Sequence, residues 1–169
     1  MRATIVAAVA MISALALLAL VPVVPESALA QESAPELVLY EPPVLTQVVD
    51  PFRPPASFAG PGNRGLEYGN AGGRVVASAA AGLVTFAGPV AGRSAITIEH
   101  ADGVRTTYTG LREIWVEQWQ YLRQGATIAI AESGFHFGAR IRDRYLDPQI
   151  LLDASQADTR ARLIAPPEG

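Results

Sequence analysis

The stretch SGFHFGARIRD, Ser133 to Asp143, decides how the rest of this chain is read. It carries one of only two histidines in 169 residues. Side chains alternate between the faces of a β-strand. His136 therefore shares a face with Gly134, while Phe135 and Phe137 take the other. A strand that serves a catalytic metal offers two useful groups on one face, and here one of that pair has no side chain.

Working outward from this strand, the pattern stays that of short strands punctuated by glycine. GRVVASAAAGLVTFAGP holds two runs that meet near Gly82. SAITIEHADGVRTTYTGL is a hairpin signal: Ile96 and Ile98 alternate with Thr97, and ADG turns the chain into Val104 to Tyr108. GATIAIAES follows Gly125 as a further run, and GLREIWVEQWQYLRQG reads as a loop with a strand edge. DPQILLDA predicts one helical turn, with Asp147 as its cap and Pro148 at an early helical position. Short strands with glycine turns predict an all-β antiparallel sheet or sandwich closed by that short helical turn.

The flanks differ in character. Residues 31 to 45 are proline-rich and read as a linker or extended arm; residues 46 to 61 read as entry loops. The polar tail from residue 154 to 169 is expected at the surface. The first thirty residues have a positive start at Arg2, an apolar run from Ala3 to Val24, and small residues Ala28 and Ala30. That is the layout of a secretory signal, cleaved before Gln31. The competing reading is an uncleaved membrane anchor, because the run approaches the ~20 residues that span a bilayer. Either reading exports the remainder, and only the second attaches it to a membrane.

Composition narrows the chemistry. The chain has no cysteine, so thiolate catalysis, disulfides and cysteine metal sites are excluded. All thirteen basic residues are arginine, set against sixteen acidic ones, for a net charge of −3. That balance gives no support to nucleic-acid binding, which calls for a basic stripe.

The order of the pieces resembles the lysostaphin-type, or LytM, zinc endopeptidase domain over residues 46 to 153. DPFRPP, NRGLE, AGLVTFAGPVAGR, ITIEHADGVRTTYTGL, RQGATIAIAESG and GFHFGARIRDRYLDP match that family's motifs in order. The resemblance implies the family's all-β fold, built on a duplicated hybrid motif. It also implies a zinc held by the His and Asp of H-x-x-x-D and by the second His of H-x-H. Two further histidines, the first of H-x-H and one in Y-x-H-L, would polarise the attacking water and the developing oxyanion.

Carried over position by position, the ligand places hold Asn63, Glu67 and His136, and the two helper places hold Gly134 and Gly110. Glu67 keeps a carboxylate, but an amide competes poorly with imidazole for zinc. A missing helper is typically worth ~10²- to 10⁴-fold in rate. Asp50, Asp102, Asp143 or the acids of the tail could supply a substitute ligand, but their spacing recommends none. His136 also has a plain structural reading, as a partly buried histidine satisfied by a neighbour, and Glu67 as a solvated carboxylate. His100 is assigned to the hairpin.

Tyr108, Phe135, Arg140 and Arg142 are the binding-groove candidates; the aromatics read equally as core. Arg140, Arg142 and Arg144, at spacing two, would place three guanidinium groups on one face of a regular strand, where they could meet a peptide carboxylate. The functional expectation is an exported, non-catalytic LytM-like domain of the cell envelope, with no cofactor, that binds peptidoglycan or regulates a cell-wall hydrolase. The alternative is a working zinc endopeptidase that cuts peptidoglycan cross-link peptides. A purely structural β module is the third reading.

Overall fold

The computed structural model describes residues 37–56 and 60–164. The expected signal segment and its cleavage site, residues 31 to 36, and the last five residues of the tail lie outside them. Among the described residues nine strands and one helix follow in chain order: β1 Val48–Asp50, β2 Gly65–Tyr68, β3 Val75–Ala77, β4 Gly82–Val90, β5 Arg93–Glu99, β6 Val104–Ile114, β7 Tyr121–Leu122, β8 Thr127–Ile141, β9 Arg144–Leu146 and α1 Pro148–Ile164. The strands form one antiparallel sheet in the order β1-β2-β8-β6-β5-β4-β7, with β3 and β9 also paired to β8.

The two runs GATIAIAES and SGFHFGARIRD are one continuous strand, β8, fifteen residues long. Its first part pairs with β3 and the end of β6; its second part lies between β2 and the start of β6. Between the pairs Thr109↔His136 and Leu111↔Ala131, β6 advances two residues while β8 advances five. The surplus, Glu132 to Gly134, is pushed out as an exposed bulge. Bulges of this kind re-aim side chains and often sit beside functional sites.

The core lies under one face of this sheet. Leu66 of β2, Ile96 and Ile98 of β5, Tyr108 of β6 and Phe135 and Phe137 of β8 are fully buried there. The Tyr108 and Phe137 rings meet at 5.3 Å, and the Tyr68 and Phe135 rings at 5.8 Å. Burying a side chain of that size contributes about 1.5–3 kcal/mol relative to leaving it in water. The hairpin β5–β6 turns at Ala101–Gly103, as the ADG signal predicts.

Two stretches are more firmly held than their composition suggests. Residues 37 to 45, expected within a linker, pack on the sheet: Tyr40 and Val44 are each only 3% exposed. Backbone groups of this arm bond to the chain beside β3, Glu41 N–H to Ala79 O and Ala77 N–H to Pro43 O, both at 2.8 Å. Proline removes a donor but leaves its carbonyl free to accept, so a proline-rich segment can still be stitched down. The Tyr40 hydroxyl also donates to the Asp102 carboxylate at 2.8 Å.

The helix is the second case. Asp147 caps it, its Oδ1 accepting from Gln149 N–H at 3.0 Å, and Pro148 opens it as expected. It runs well past one turn, to Ile164, and so takes in most of the tail. Leu152 is buried and Ser155 Oγ accepts from Tyr40 N–H at 2.5 Å. Tertiary contacts of this kind, more than propensity, stabilise most protein helices.

Candidate functional site

The outer face of the sheet is where β2, β8 and β6 set three functional positions side by side. Glu67 pairs in register with His136, and His136 with Thr109. Glu67 is exposed and His136 half-buried. Gly65 lets β2 lie this close to β8: a Cβ there would stand 2.6 Å from His136 Cε1 and 2.8 Å from the Gly138 Cα.

Asn63 enters from the loop before β2 and is fixed from all sides. Its backbone exchanges two 2.9 Å bonds with Arg53. Its side-chain Nδ2 donates to the Asp50 and Pro51 carbonyls at 3.2 and 3.1 Å, and its Oδ1 accepts from Gly65 N–H at 3.2 Å. Because carbonyls only accept, these bonds orient the amide with Oδ1 toward His136, whose Nε2 stands 3.1 Å away. The Nε2 therefore carries the proton and donates it to Asn63, an assignment that follows from the network. Burial holds the His136 pKa below its ordinary value, and the nearby Arg93 charge pushes the same way against the opposing pull of Glu67 and Asp50.

Arg93 completes the arrangement from across the sheet. A two-residue turn with Ala91 and Gly92 both in the left-handed region, at φ 50° and 80°, delivers Arg93 to the start of β5. This is the type I′ hairpin geometry. The Arg93 Nη2 donates to the carbonyl of Gly134, inside the bulge, at 2.7 Å. A Cβ at Gly110 would meet that same Nη2 at 2.7 Å and the Gly134 oxygen at 2.9 Å; one at Gly134 would lie 3.7 Å from Nη2. Both glycines have positive φ, 75° and 80°, which disfavours any side chain there. Where the resemblance implies two imidazoles, the chain places one guanidinium.

These residues do not fit zinc. His136 Nε2 is held as a donor to the Asn63 amide, which leaves Nδ1 as its one bare nitrogen. Among the described residues, no three of His, Cys, Asp and Glu gather as a metal-holding group. Asp50 is engaged by Arg53, Asp102 accepts from Tyr40 and from Val104 N–H, and Asp143 is exposed in the β8–β9 turn. Arg93 adds a positive charge that is felt at His136.

The other candidate residues separate. Tyr108 and Phe135 are fully buried and cannot wall a groove. The arginine series does not share a strand face: β8 ends at Ile141, which pairs with Arg144, and Arg142 lies in the intervening two-residue turn at φ 51°. Arg140 alone remains at the site, opposite Arg105 in register. His100 serves the hairpin, as expected. Its Nδ1–H donates to Ala81 O at 2.8 Å and its Nε2 accepts from Thr106 Oγ1 at 2.8 Å.

Beyond His136 the outer face opens into a cavity of about 380 Å³, lined by Thr97, Thr107, Thr109, Arg64, Arg140 and Tyr145, over Gly138. The Arg64 guanidinium lies 5.5 Å above the Tyr145 ring, a cation–π contact that orders both. The threonines were readable in TTYTG, where they alternate with buried Tyr108. Arg93 gave no local signal, because its partner lies 41 residues away.

The pattern model of peptidase family M23 matches residues 61–148, more than half of the chain, and the chain belongs to that family. Solved structures agree on the fold. Lysostaphin, in its solution structure, is 18% identical over 72% of this chain and 56% of its own, with a TM-score of 0.60. Csd3 of Helicobacter pylori is 21% identical over 75% and 43%, with a TM-score of 0.58. A protein of the SpoIIQ–SpoIIIAH pore-forming complex is 22% identical over 73% and 96%, with a TM-score of 0.56. The chain spans less than half the length of Csd3 and of a zinc-containing peptidase from Vibrio cholerae, to which it is 25% identical with a TM-score of 0.57. Among curated proteins none matches it significantly.

Proposed function

We propose that this chain is an exported, non-cutting member of family M23, a pseudoenzyme of the cell envelope whose groove binds peptidoglycan or a peptidoglycan hydrolase. The observation that carries the reading is the pair of contacts at the old metal centre, Asn63 to His136 and Arg93 to Gly134. Together they engage one imidazole nitrogen and set a guanidinium beside the two helper positions. Catalytic zinc sites need three protein ligands and an open position, and among the described residues no three of His, Cys, Asp and Glu gather. The signal-like first thirty residues support export. Use of the fold to bind another protein is supported by its occurrence in the SpoIIQ–SpoIIIAH complex.

Metal analysis of the purified exported chain, paired with incubation on muropeptides, tests the proposal. The expected result is no stoichiometric zinc and no cleavage, with the protein retained by purified sacculi or by a wall hydrolase. Tightly held zinc together with cleaved cross-links would make the chain a working endopeptidase and overturn it.

A further inference from the structure

The cavity beside His136 has a lining that the loss of a metal does not explain. It contains guanidinium and hydroxyl groups and no carboxylate, in a chain whose net charge is −3. Arg140 is exposed, and no acidic group pairs with it among the described residues. Its cross-strand neighbour Arg105 is, by contrast, neutralised by Glu99 at 2.7 Å. Thr97, Thr107 and Thr109 are half-buried, with the first two hydroxyls 3.5 Å apart.

The floor is equally selective. β5, β6 and β8 are each paired on both sides here, so no backbone edge is open to receive an extended peptide as an added strand. Recognition must come from side chains, and those that face the cavity are chiefly donors. Gly138, without a side chain, leaves room at the base, where a Cβ would press to 3.3 Å on the Arg64 carbonyl. A planar, two-oxygen anion is the chemistry that such a fork and its hydroxyl neighbours recognise.

We propose that this cavity is a subsite for the terminal carboxylate of a peptide, with Arg140 as its charge partner and Thr107 and Thr109 as hydroxyl donors. The cavity volume of about 380 Å³ suits the last one or two residues of a peptide and little more. The subsite deepens the proposed function, since it rests on the groove being a binding groove, and it names the end of the ligand that is held.

The test is an NMR titration of the ¹⁵N-labelled full chain with N-acetyl-alanyl-alanine, its C-terminal amide, and inorganic phosphate. The free acid is expected to shift the Thr107, Thr109 and Gly138 amides saturably, and the amide derivative is not. Arg140→Gln, a change at an exposed position, should weaken the acid by about tenfold or more, and Thr109→Val by a few-fold. Arg123→Gln, beyond the far edge strand β7, should leave binding unchanged. Equal binding of acid and amide, or phosphate binding as tightly with the same Arg140 dependence, would overturn a peptide-carboxylate subsite. Sacculus retention separates the two readings. Retention without carboxylate binding sinks the subsite and leaves the groove reading; carboxylate binding without retention by sacculi or hydrolase does the reverse.

Discussion

The two faces of strands β6 and β8 are made from adjacent residues and have opposite properties. On the inner face Tyr108, Phe135 and Phe137 are sealed, and the polar atoms among them are joined in a chain. Ala79 N–H donates to the Tyr108 hydroxyl at 2.8 Å; that hydroxyl lies 3.2 Å from Thr106 Oγ1, which in turn reaches His100. On the outer face His136, Thr107, Thr109 and Arg140 look onto open space, with His136 held by Asn63 at 3.1 Å and Thr107 3.5 Å from the Thr97 hydroxyl. Folding depends on the inner set. Changes among the outer residues therefore leave the core untouched.

The sharpest way to break this contrast is a pair of truncations one strand apart. Phe137→Ala on the inner face should cost about 3–5 kcal/mol, and Thr107→Val on the outer face less than about 1 kcal/mol. Urea unfolding of the two variants measures the difference; equal losses would mean that the outer face also carries the fold. Next in size is Tyr108→Phe. It leaves the buried Ala79 N–H without an acceptor, a loss of about 1–3 kcal/mol. Tyr68→Phe is the control. Its hydroxyl is buried with no partner among the described residues, so removing it should be neutral or slightly stabilising, and a cost like that of Tyr108→Phe would reveal a partner at Tyr68.

The same contrast explains what could be read from the residues alone. Strand alternation announced the inner face: Ile96 and Ile98, Phe135 and Phe137 are buried where period two puts them. The ADG turn and the Asp147 cap were local signals, and local structure obeyed them. The position of His136 beside Asn63 and Glu67 followed from motif order. What escaped depends on register and distance. The bulge at Glu132 to Gly134 arises from how β6 and β8 slide past each other. The placement of Arg93 over Gly134 needs β5, β6 and β8 to be assembled first. The arginine series failed because Arg142 and Asp143 make a tight turn without the glycine that normally marks one. Burial of Tyr40 and Val44 escaped because proline content measures local extension and says nothing about what lies underneath.

A smaller effect sharpens the account of the metal centre. Asn63→His offers zinc a second imidazole beside His136 and Glu67, so equilibrium dialysis should detect metal affinity absent from the parent chain. Adding Gly134→His should give nothing further. The backbone there has φ 80°, which costs a side chain roughly 1–2 kcal/mol. A double variant that binds zinc much more tightly than Asn63→His would show that the bulge yields and that only the missing imidazole separates this centre from a working one.

The smallest expected effect concerns protons. His136 and His100 both sit below the ordinary histidine value of 6.5, in each case chiefly through burial. A histidine with a depressed folded pKa binds fewer protons folded than unfolded as pH falls through that ordinary value. Its contribution to stability is therefore complete above pH 6.5 and is lost on acidification toward the folded value. The two faces should differ in what moves them. His100 is enclosed by Ala81 O, Thr106 and the edge of the Tyr40 ring, with Asp102 the charge that favours its protonated form. His136 feels Arg93 across the open groove, along with Glu67 and Asp50. Arg93→Gln should thus raise the His136 pKa and leave that of His100 where it is, as followed by the ring Cε1 proton shifts. A matched rise at both histidines would mean that Arg93 acts through the fold as a whole, and the separation of the faces would fail at the residue on which the proposed loss of catalysis depends.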